Sequence, residues 1–176
     1  MHILVADDDV DAVELYRTSM EGRGYNVTVT LDGQECVAAY AKAVERLKRA
    51  GKRLSNREPF DVVILDYKMP VIDGLEAAKE ILRINSLQRI IFASAFVKET
   101  LMDSVKELNQ IMELIQKPFE PDVLVGLVED TSTIDRLSDL NAAIADIAKK
   151  NDKKPDNSQI DLLLQLLKKI QKSGTI

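Results

Sequence analysis

Two apolar runs in this chain of 176 residues end in aspartate. Asp61-Val-Val-Ile-Leu-Asp66 is followed at once by Tyr-Lys-Met-Pro-Val-Ile-Asp73-Gly74, and His2-Ile-Leu-Val-Ala6 closes in Asp7-Asp8-Asp9. Buried strands that both end in carboxylates crowd negative charge at one edge of a parallel sheet, which a cation or a functional need must offset. Carboxylate oxygens are the hard donors that Mg²⁺ prefers, so Asp8, with Asp7 beside it, is read as a metal holder. Asp66 is the central residue. A carboxylate can attack a phosphoryl group and form an acyl phosphate when charge on the incoming group is neutralised. Lys117 offers a compact positive charge to a phosphoryl oxygen, and Ser94 offers a hydroxyl to a second. Nucleophile, metal, cation and hydroxyl together make a phosphoryl-transfer set.

These residues come from separate segments, so the elements between them must bring them together. The pattern predicts strands at 2–6, 25–30, 60–65, 89–94 and 111–116. Helices are predicted at 10–22, from Asp32-Gly33 to about Ala50, and at 73–85, 98–109 and 121–130, with Gly22 and Gly24 stopping the first. Such alternation with short connections implies a doubly wound parallel sheet with helices on both faces. Ligands bind such sheets outside the carboxyl ends of the strands, where Asp7, Asp8, Asp66, Ser94 and Lys117 all fall. After residue 131 the pattern changes. Ser132-Thr-Ile-Asp135 reads as a capped helix start, and Ile134, Leu137, Leu140, Ile144 and Ile147 form a stripe through about 148. A polar linker, 151–157, leads to a leucine-rich helix from Ile160 to Ile170, for which Ser158 or Asp156 is the expected cap. Residues 1–130 are therefore read as one domain and 131–176 as a helical extension.

Bulk properties agree with one compact soluble domain and an appendage: 45% of residues are apolar, 30% charged, and the formal net charge is -5. The single cysteine, Cys36, excludes an internal disulfide framework and is read as core filler. No apolar stretch approaches the roughly 20 residues that span a bilayer, and no leader pattern opens the chain. A cytoplasmic location is expected, with no membrane partner, and the acidity argues against direct DNA binding by the whole chain. Some features have bland readings: Asp9 as a helix cap, His2 as an exposed residue at the far end of the first strand, and Gly74 as a site of close backbone approach.

Taken in order, Ile3-Leu-Val-Ala-Asp-Asp-Asp9, Asp61-Val-Val-Ile-Leu-Asp-Tyr-Lys-Met-Pro70 with Asp73-Gly74, Ile90-Ile-Phe-Ala-Ser-Ala95 and Lys117-Pro118-Phe119 resemble the receiver domain of two-component response regulators. The resemblance covers about residues 1–130 and implies a flavodoxin-like (βα)5 fold, here with two extra C-terminal helices. It further implies that Asp66 accepts phosphate from a histidine kinase or phosphotransfer protein. Asp7, Asp8, Asp66 and the main-chain carbonyl of Lys68 would hold Mg²⁺, Ser94 and Lys117 would sense the phosphoryl group, and Lys117–Pro118 would be cis. Such a protein is a switch that dephosphorylates itself slowly and not a turnover enzyme.

The chain departs from the family's pattern in three places. Leu114 stands where an aromatic ring is usual, three residues before the lysine, leaving Phe96 as an alternative bulky group. The second helix is long and basic through Lys42, Arg46, Lys48, Arg49, Lys52, Arg53 and Arg57, opposed by Glu45 and Glu58; it is read as a solvated face, with an acidic partner, nucleic acid or anionic membrane as the sharper reading. The leucine-rich last helix must bury itself on the first domain, on its neighbouring helix or on a second copy, and a homodimer or downstream-partner surface is expected.

Other classes fare worse. An aspartate-nucleophile phosphohydrolase needs a second acid two residues after the nucleophile, where this chain has Lys68. A nucleotide-binding Rossmann domain needs a glycine-rich first turn, where this chain has three aspartates. A phosphate-independent scaffold acting through the helical tail remains the alternative.

Overall fold

A computed structural model of the chain describes residues 1–54, 59–151, 156–171 and 174–176, and the side chains of all of these except 143–151. Arg57, Glu58, most of the 151–157 linker and the side chains of Ile144 and Ile147 thus lie outside the described residues. Five strands, β1 (His2–Ala6), β2 (Asn26–Thr30), β3 (Val62–Asp66), β4 (Ile90–Ser94) and β5 (Glu113–Gln116), form one sheet in the order β2-β1-β3-β4-β5. That is the flavodoxin-like order. The chain divides into two compact units, Met1–Ala93 and Ser94–Ile176.

In the first unit β1 pairs in parallel with both β2 and β3, and β3 pairs with β4. Residues 3–6 of β1 and all of β3 are buried, as continuous apolar runs in a doubly covered sheet should be. Helix α1 (Val10–Glu21) starts on Asp9, whose carboxylate accepts the amides of Asp11 and Ala12, so Asp9 is a cap as expected. Helices α2 (Gly33–Arg49) and α3 (Gly74–Ile84) start the same way, on Asp32 and Asp73. One polar chain runs through this core. The Tyr40 hydroxyl donates to Gln88 Oε1 at 2.8 Å, and Gln88 Nε2 donates to the Phe60 carbonyl at 3.0 Å, so the buried amide is satisfied. Cys36 is fully buried, as core filler should be. The basic residues from Lys42 to Arg53 are exposed, and Arg49 pairs with Glu45.

The second unit differs from sequence expectation in three details. The helix expected at 98–109 is α4 (Val97–Asp103) continued by a π-helical turn, Ser104–Leu108, which ends at Asn109 with φ 56. Ser104 Oγ donates back to the Leu101 carbonyl, one way in which a helix loosens into a wider turn. Helix α5 spans Pro121–Glu129 and helix α6 spans Ser132–Asn151. At the start of α6 the accepting oxygen is Asp130 Oδ1, which receives both the amide and the hydroxyl of Ser132; the serine there donates, so the acidic residue before it does the work assigned to Ser132. Helix α7 (Asn157–Ile170) is capped by Asp156, one of the two expected caps, in a reciprocal capping box with Gln159, and so begins three residues before Ile160. It packs on α4 and α6 within this unit, burying Ile160 and Leu167 and leaving Leu162 exposed. No described helix is long and apolar enough to cross a membrane.

Candidate functional site

Strand order reverses between β1 and β3, and the residues at their carboxyl ends are Asp7 and Asp66. Carboxylate oxygens of Asp7, Asp8 and Asp66 all lie within 4.8 Å of one another. Asp7 and Asp66 are buried and Asp8 is exposed, so the cluster is open on one side. Its geometry is held by backbone: Asp7 Oδ1 accepts the amide of Asp9 at 3.1 Å, and Asp66 Oδ2 accepts the amide of Lys68 at 3.0 Å. Three convergent carboxylates give an all-oxygen donor set with room for water, which fits Mg²⁺. Those same three charges repel one another when no cation is bound.

The loop after Asp66 is tightly built. The Asp73-capped start of α3 returns to the strand end, where the Gly74 amide donates to the Tyr67 carbonyl at 3.1 Å. A Cβ added at Gly74 would stand 2.2 Å from the Asp66 carbonyl oxygen, so the close approach expected there is real. Gly33 serves likewise, since its Cβ would meet the Ile72 carbonyl oxygen at 2.4 Å. Val71, midway through the loop, has φ 69 and is exposed. A β-branched residue in the left-handed region is strained. Tyr67 is buried edge-on against Phe92, with ring centroids 6.1 Å apart, which anchors the chain beside Asp66. The Lys68 ammonium lies 4.8 Å from the Tyr67 ring centroid.

The β3–β4 register sets Asp66 opposite Ala93, and Ser94 is the next residue along the chain. Ser94 is buried. Its Oγ accepts the Phe96 amide at 2.9 Å and lies 2.8 Å from Thr100 Oγ1, which also contacts the Phe96 carbonyl at 2.9 Å. In the sequence Thr100 carries no signal beyond a hydroxyl within the helix expected at 98–109. Phe96 is 53% exposed, and its backbone amide engages Ser94. The Lys117 amide donates to the Ser94 carbonyl at 2.9 Å, so the lysine follows directly from the strand end. Lys117–Pro118 is cis. Leu114, a leucine and not an aromatic residue, is fully buried.

Known proteins share the family and the fold of this chain. Residues 3–129 match the response regulator receiver domain family. The response regulator SaeR of Staphylococcus aureus (strain USA300) is 30% identical over 133 residues, which are 75% of this chain and 50% of that protein. A probable transcriptional regulator, ycf29 of Porphyra purpurea, is 26% identical over 141 residues, 80% of this chain and 60% of the relative. The chain thus spans about half to three-fifths of the length of these relatives. Among solved structures, the Francisella response regulator 1452 receiver domain is 29% identical with TM-score 0.53, covering 72% of this chain and 92% of its own. The CheX-CheY-BeF3-Mg+2 complex from Borrelia burgdorferi is 25% identical with TM-score 0.58, covering 72% of this chain and 84% of the other. On the match across most of its length, the chain belongs to the response regulator receiver domain family of two-component signalling.

Proposed function

We propose that this protein is a phosphoacceptor switch in a phosphorelay, with Asp66 as the acceptor and residues 1–130 as the receiver, followed by a helical extension over 131–176. The observation that carries the reading is the convergence of the Asp7, Asp8 and Asp66 carboxylates within 4.8 Å at the reversal of strand order. Asp7, Asp8, Asp66 and the Lys68 carbonyl are the proposed Mg²⁺ ligands. A bound Mg²⁺ supplies neutralising charge to the phosphoryl oxygens. A carboxylate oxygen of Asp66 attacks the phosphorus of a phosphohistidine on a histidine kinase or phosphotransfer protein. The new P–O bond replaces the P–N bond, and the imidazole nitrogen keeps the electron pair and takes up a proton. The hydroxyl of Ser94 and the ammonium of Lys117 receive the phosphoryl oxygens, which biases the chain between two conformations. Water later attacks the phosphorus and returns Asp66 and inorganic phosphate. The protein is consumed and regenerated in this cycle and turns over no separate substrate.

Output passes through altered protein contacts in the cytoplasm, with a downstream protein as the proposed partner and no direct DNA or membrane binding. The transcriptional role carried in one relative's name is that relative's own, and a gel-shift assay with the phosphorylated chain tests the DNA alternative. A homodimer through the C-terminal helices is part of the same proposal, and light scattering with and without a phosphate analogue reads it.

The central test is incubation with Mg²⁺ and a small phosphodonor such as acetyl phosphate, with peptide mapping of the product. Phosphate on Asp66, absent in Asp66→Ala, is expected. A signal that survives Asp66→Ala, or none in the wild type, leaves the phosphate-independent scaffold as the better reading.

A further inference from the structure

On α1 and α3 every basic residue meets a glutamate one turn earlier: Arg17 with Glu14, Lys79 with Glu76 and Arg83 with Glu80. Helix α2 and the turn after it are different. Residues 42–53 hold six lysines and arginines and a single acid, Glu45, a local charge of +5 that leaves -10 on the remainder of a chain whose total is -5. Arg49 meets Glu45 at 3.5 Å with both side chains largely in solvent. Lys42, Arg46, Lys48, Lys52 and Arg53 are exposed and have no side-chain partner among the described residues. Lys42, Arg46 and Arg49 follow one another by four and three residues, so they line one face of the helix over about 10 Å. That face lies opposite the one α2 buries through Cys36, Tyr40 and Val44. Lys52 and Arg53 are held beside it by an ordered turn. Gly51 stands in the left-handed region with φ 70 and its amide donates to the Lys48 carbonyl at 3.1 Å. The Lys52 amide donates to the Leu47 carbonyl at 3.0 Å, which folds the chain back on the last turn. Part of the last-turn charge complements the carboxyl end of the helix dipole, but that effect fades within a turn and does not reach Lys42.

We infer that the basic end of α2 is a docking surface for an acidic segment of a partner protein, whose carboxylates seat on Lys42, Arg46, Arg49 and Arg53. This names the chemistry of the protein partner proposed above, and rests on that reading only in taking the output to be a protein contact. Arginine presents a planar fork of donors that grips a carboxylate with two bonds, and three of these four positions are arginine. Acids spaced by four and three residues on a partner helix repeat the stripe's own spacing. Other anions fit less well. A single-stranded nucleic acid needs exposed rings on which its bases stack, and Tyr40 on α2 and its neighbour Phe60 are both buried. A duplex is a long polyanion that would run off so short a stripe onto a chain of net negative charge. An anionic membrane holds a surface helix through an exposed apolar face, and the apolar face of α2 is already buried in the core. Single exposed ion pairs are weak, so the surface works through several together and its binding is sensitive to salt.

Fluorescence anisotropy of short labelled poly-L-glutamate with the full chain tests this, beside oligothymidylate of equal charge and phosphatidylcholine vesicles containing phosphatidylserine. Poly-L-glutamate is expected to bind most tightly, with affinity at least about tenfold lower at high salt than at low. NMR amide shifts should be confined to α2 and the turn at Gly51. Arg46→Glu, Arg49→Glu and Arg53→Glu together should abolish binding. The same charge change placed elsewhere, as Arg17→Glu, Arg83→Glu and Arg136→Glu, should leave most of it. To guard against a misfolded variant, Arg46→Lys, Arg49→Lys and Arg53→Lys keep the charge and should weaken binding about threefold or more through loss of the forks. Tighter binding of oligothymidylate or vesicles, equal loss in the two charge-reversed sets, or no binding of poly-L-glutamate at low salt overturns the inference. Phosphate mapping on Asp66 is a separate measurement. A chain that binds poly-L-glutamate but accepts no phosphate keeps this surface and loses the proposed switch, and the opposite pair of results keeps the switch and loses the surface.

Discussion

Gly74 lies directly against the backbone of Asp66: a Cβ on the glycine would stand 2.2 Å from the aspartate's carbonyl oxygen. The first residue of α3 and the last residue of β3 therefore share a space that only a hydrogen fills. Gly74→Ala must push the two apart. Expected is a loss of about 1–3 kcal/mol, the usual range for overpacking, together with slower phosphorylation of Asp66. Asp73→Ala removes only the cap of α3 and should cost about 1 kcal/mol. Urea melts beside acetyl phosphate labelling separate the two, and equal labelling by Gly74→Ala and wild type would refute the link.

The acidic cluster should respond to Asp8→Asn with opposite signs in the two metal states. Without Mg²⁺, losing one of three like charges relieves repulsion and should stabilise the fold by on the order of 1 kcal/mol at low ionic strength, less in salt. With Mg²⁺ the same change removes a ligand, and affinity should fall about tenfold or more. Thermal melts in EDTA and in Mg²⁺ read both signs, and a variant destabilised in EDTA would contradict the repulsion argument.

Strain in the loop after Asp66 is concentrated at Val71, with φ 69. Asparagine enters the left-handed region far more readily than a β-branched residue. Because Val71 is 71% exposed, its replacement sacrifices little buried apolar surface. Val71→Asn should raise stability by about 0.5–1 kcal/mol, measured as a shift in denaturant midpoint at unchanged slope.

Alkaline pH should weaken the fold through two buried groups. Burial pushes the Cys36 thiol up to about 12 from 9.0, with the Asp32 charge adding to the rise and a hydrogen bond with Thr30 opposing it. Burial likewise pushes Tyr40 up to about 12 from 10.0. The unfolded chain thus releases these protons at lower pH than the folded one, so it binds fewer protons in between. Stability is full below about pH 9 and falls as pH rises toward 12. Urea midpoints from pH 7 to 10.5 should decline, and Cys36→Ala, though less stable at pH 7, should decline less steeply. Equal slopes would remove Cys36 from the account.

What the linear chain settled was local or periodic. Apolar runs ending in Asp7 and Asp66, Asp9 one residue ahead of the first helix, and Gly74 after Asp73 each write their structural meaning in a few neighbouring residues, because strand alternation, capping and tight turns are short-range effects. Sheet order, and with it the convergence of Asp7, Asp8 and Asp66, followed from βα alternation and the family resemblance. Tertiary structure alone decided the rest. Thr100 meets Ser94 only because α4 folds back over the strand end, and Val71 turns left-handed only because the loop must close on Gly74. Gln171 reaches Leu114 across 57 residues of chain, a pairing no local pattern encodes. A side-chain amide at position 171 looks like any polar residue after a helix; it becomes a strand mimic only where an edge strand leaves its backbone groups unsatisfied.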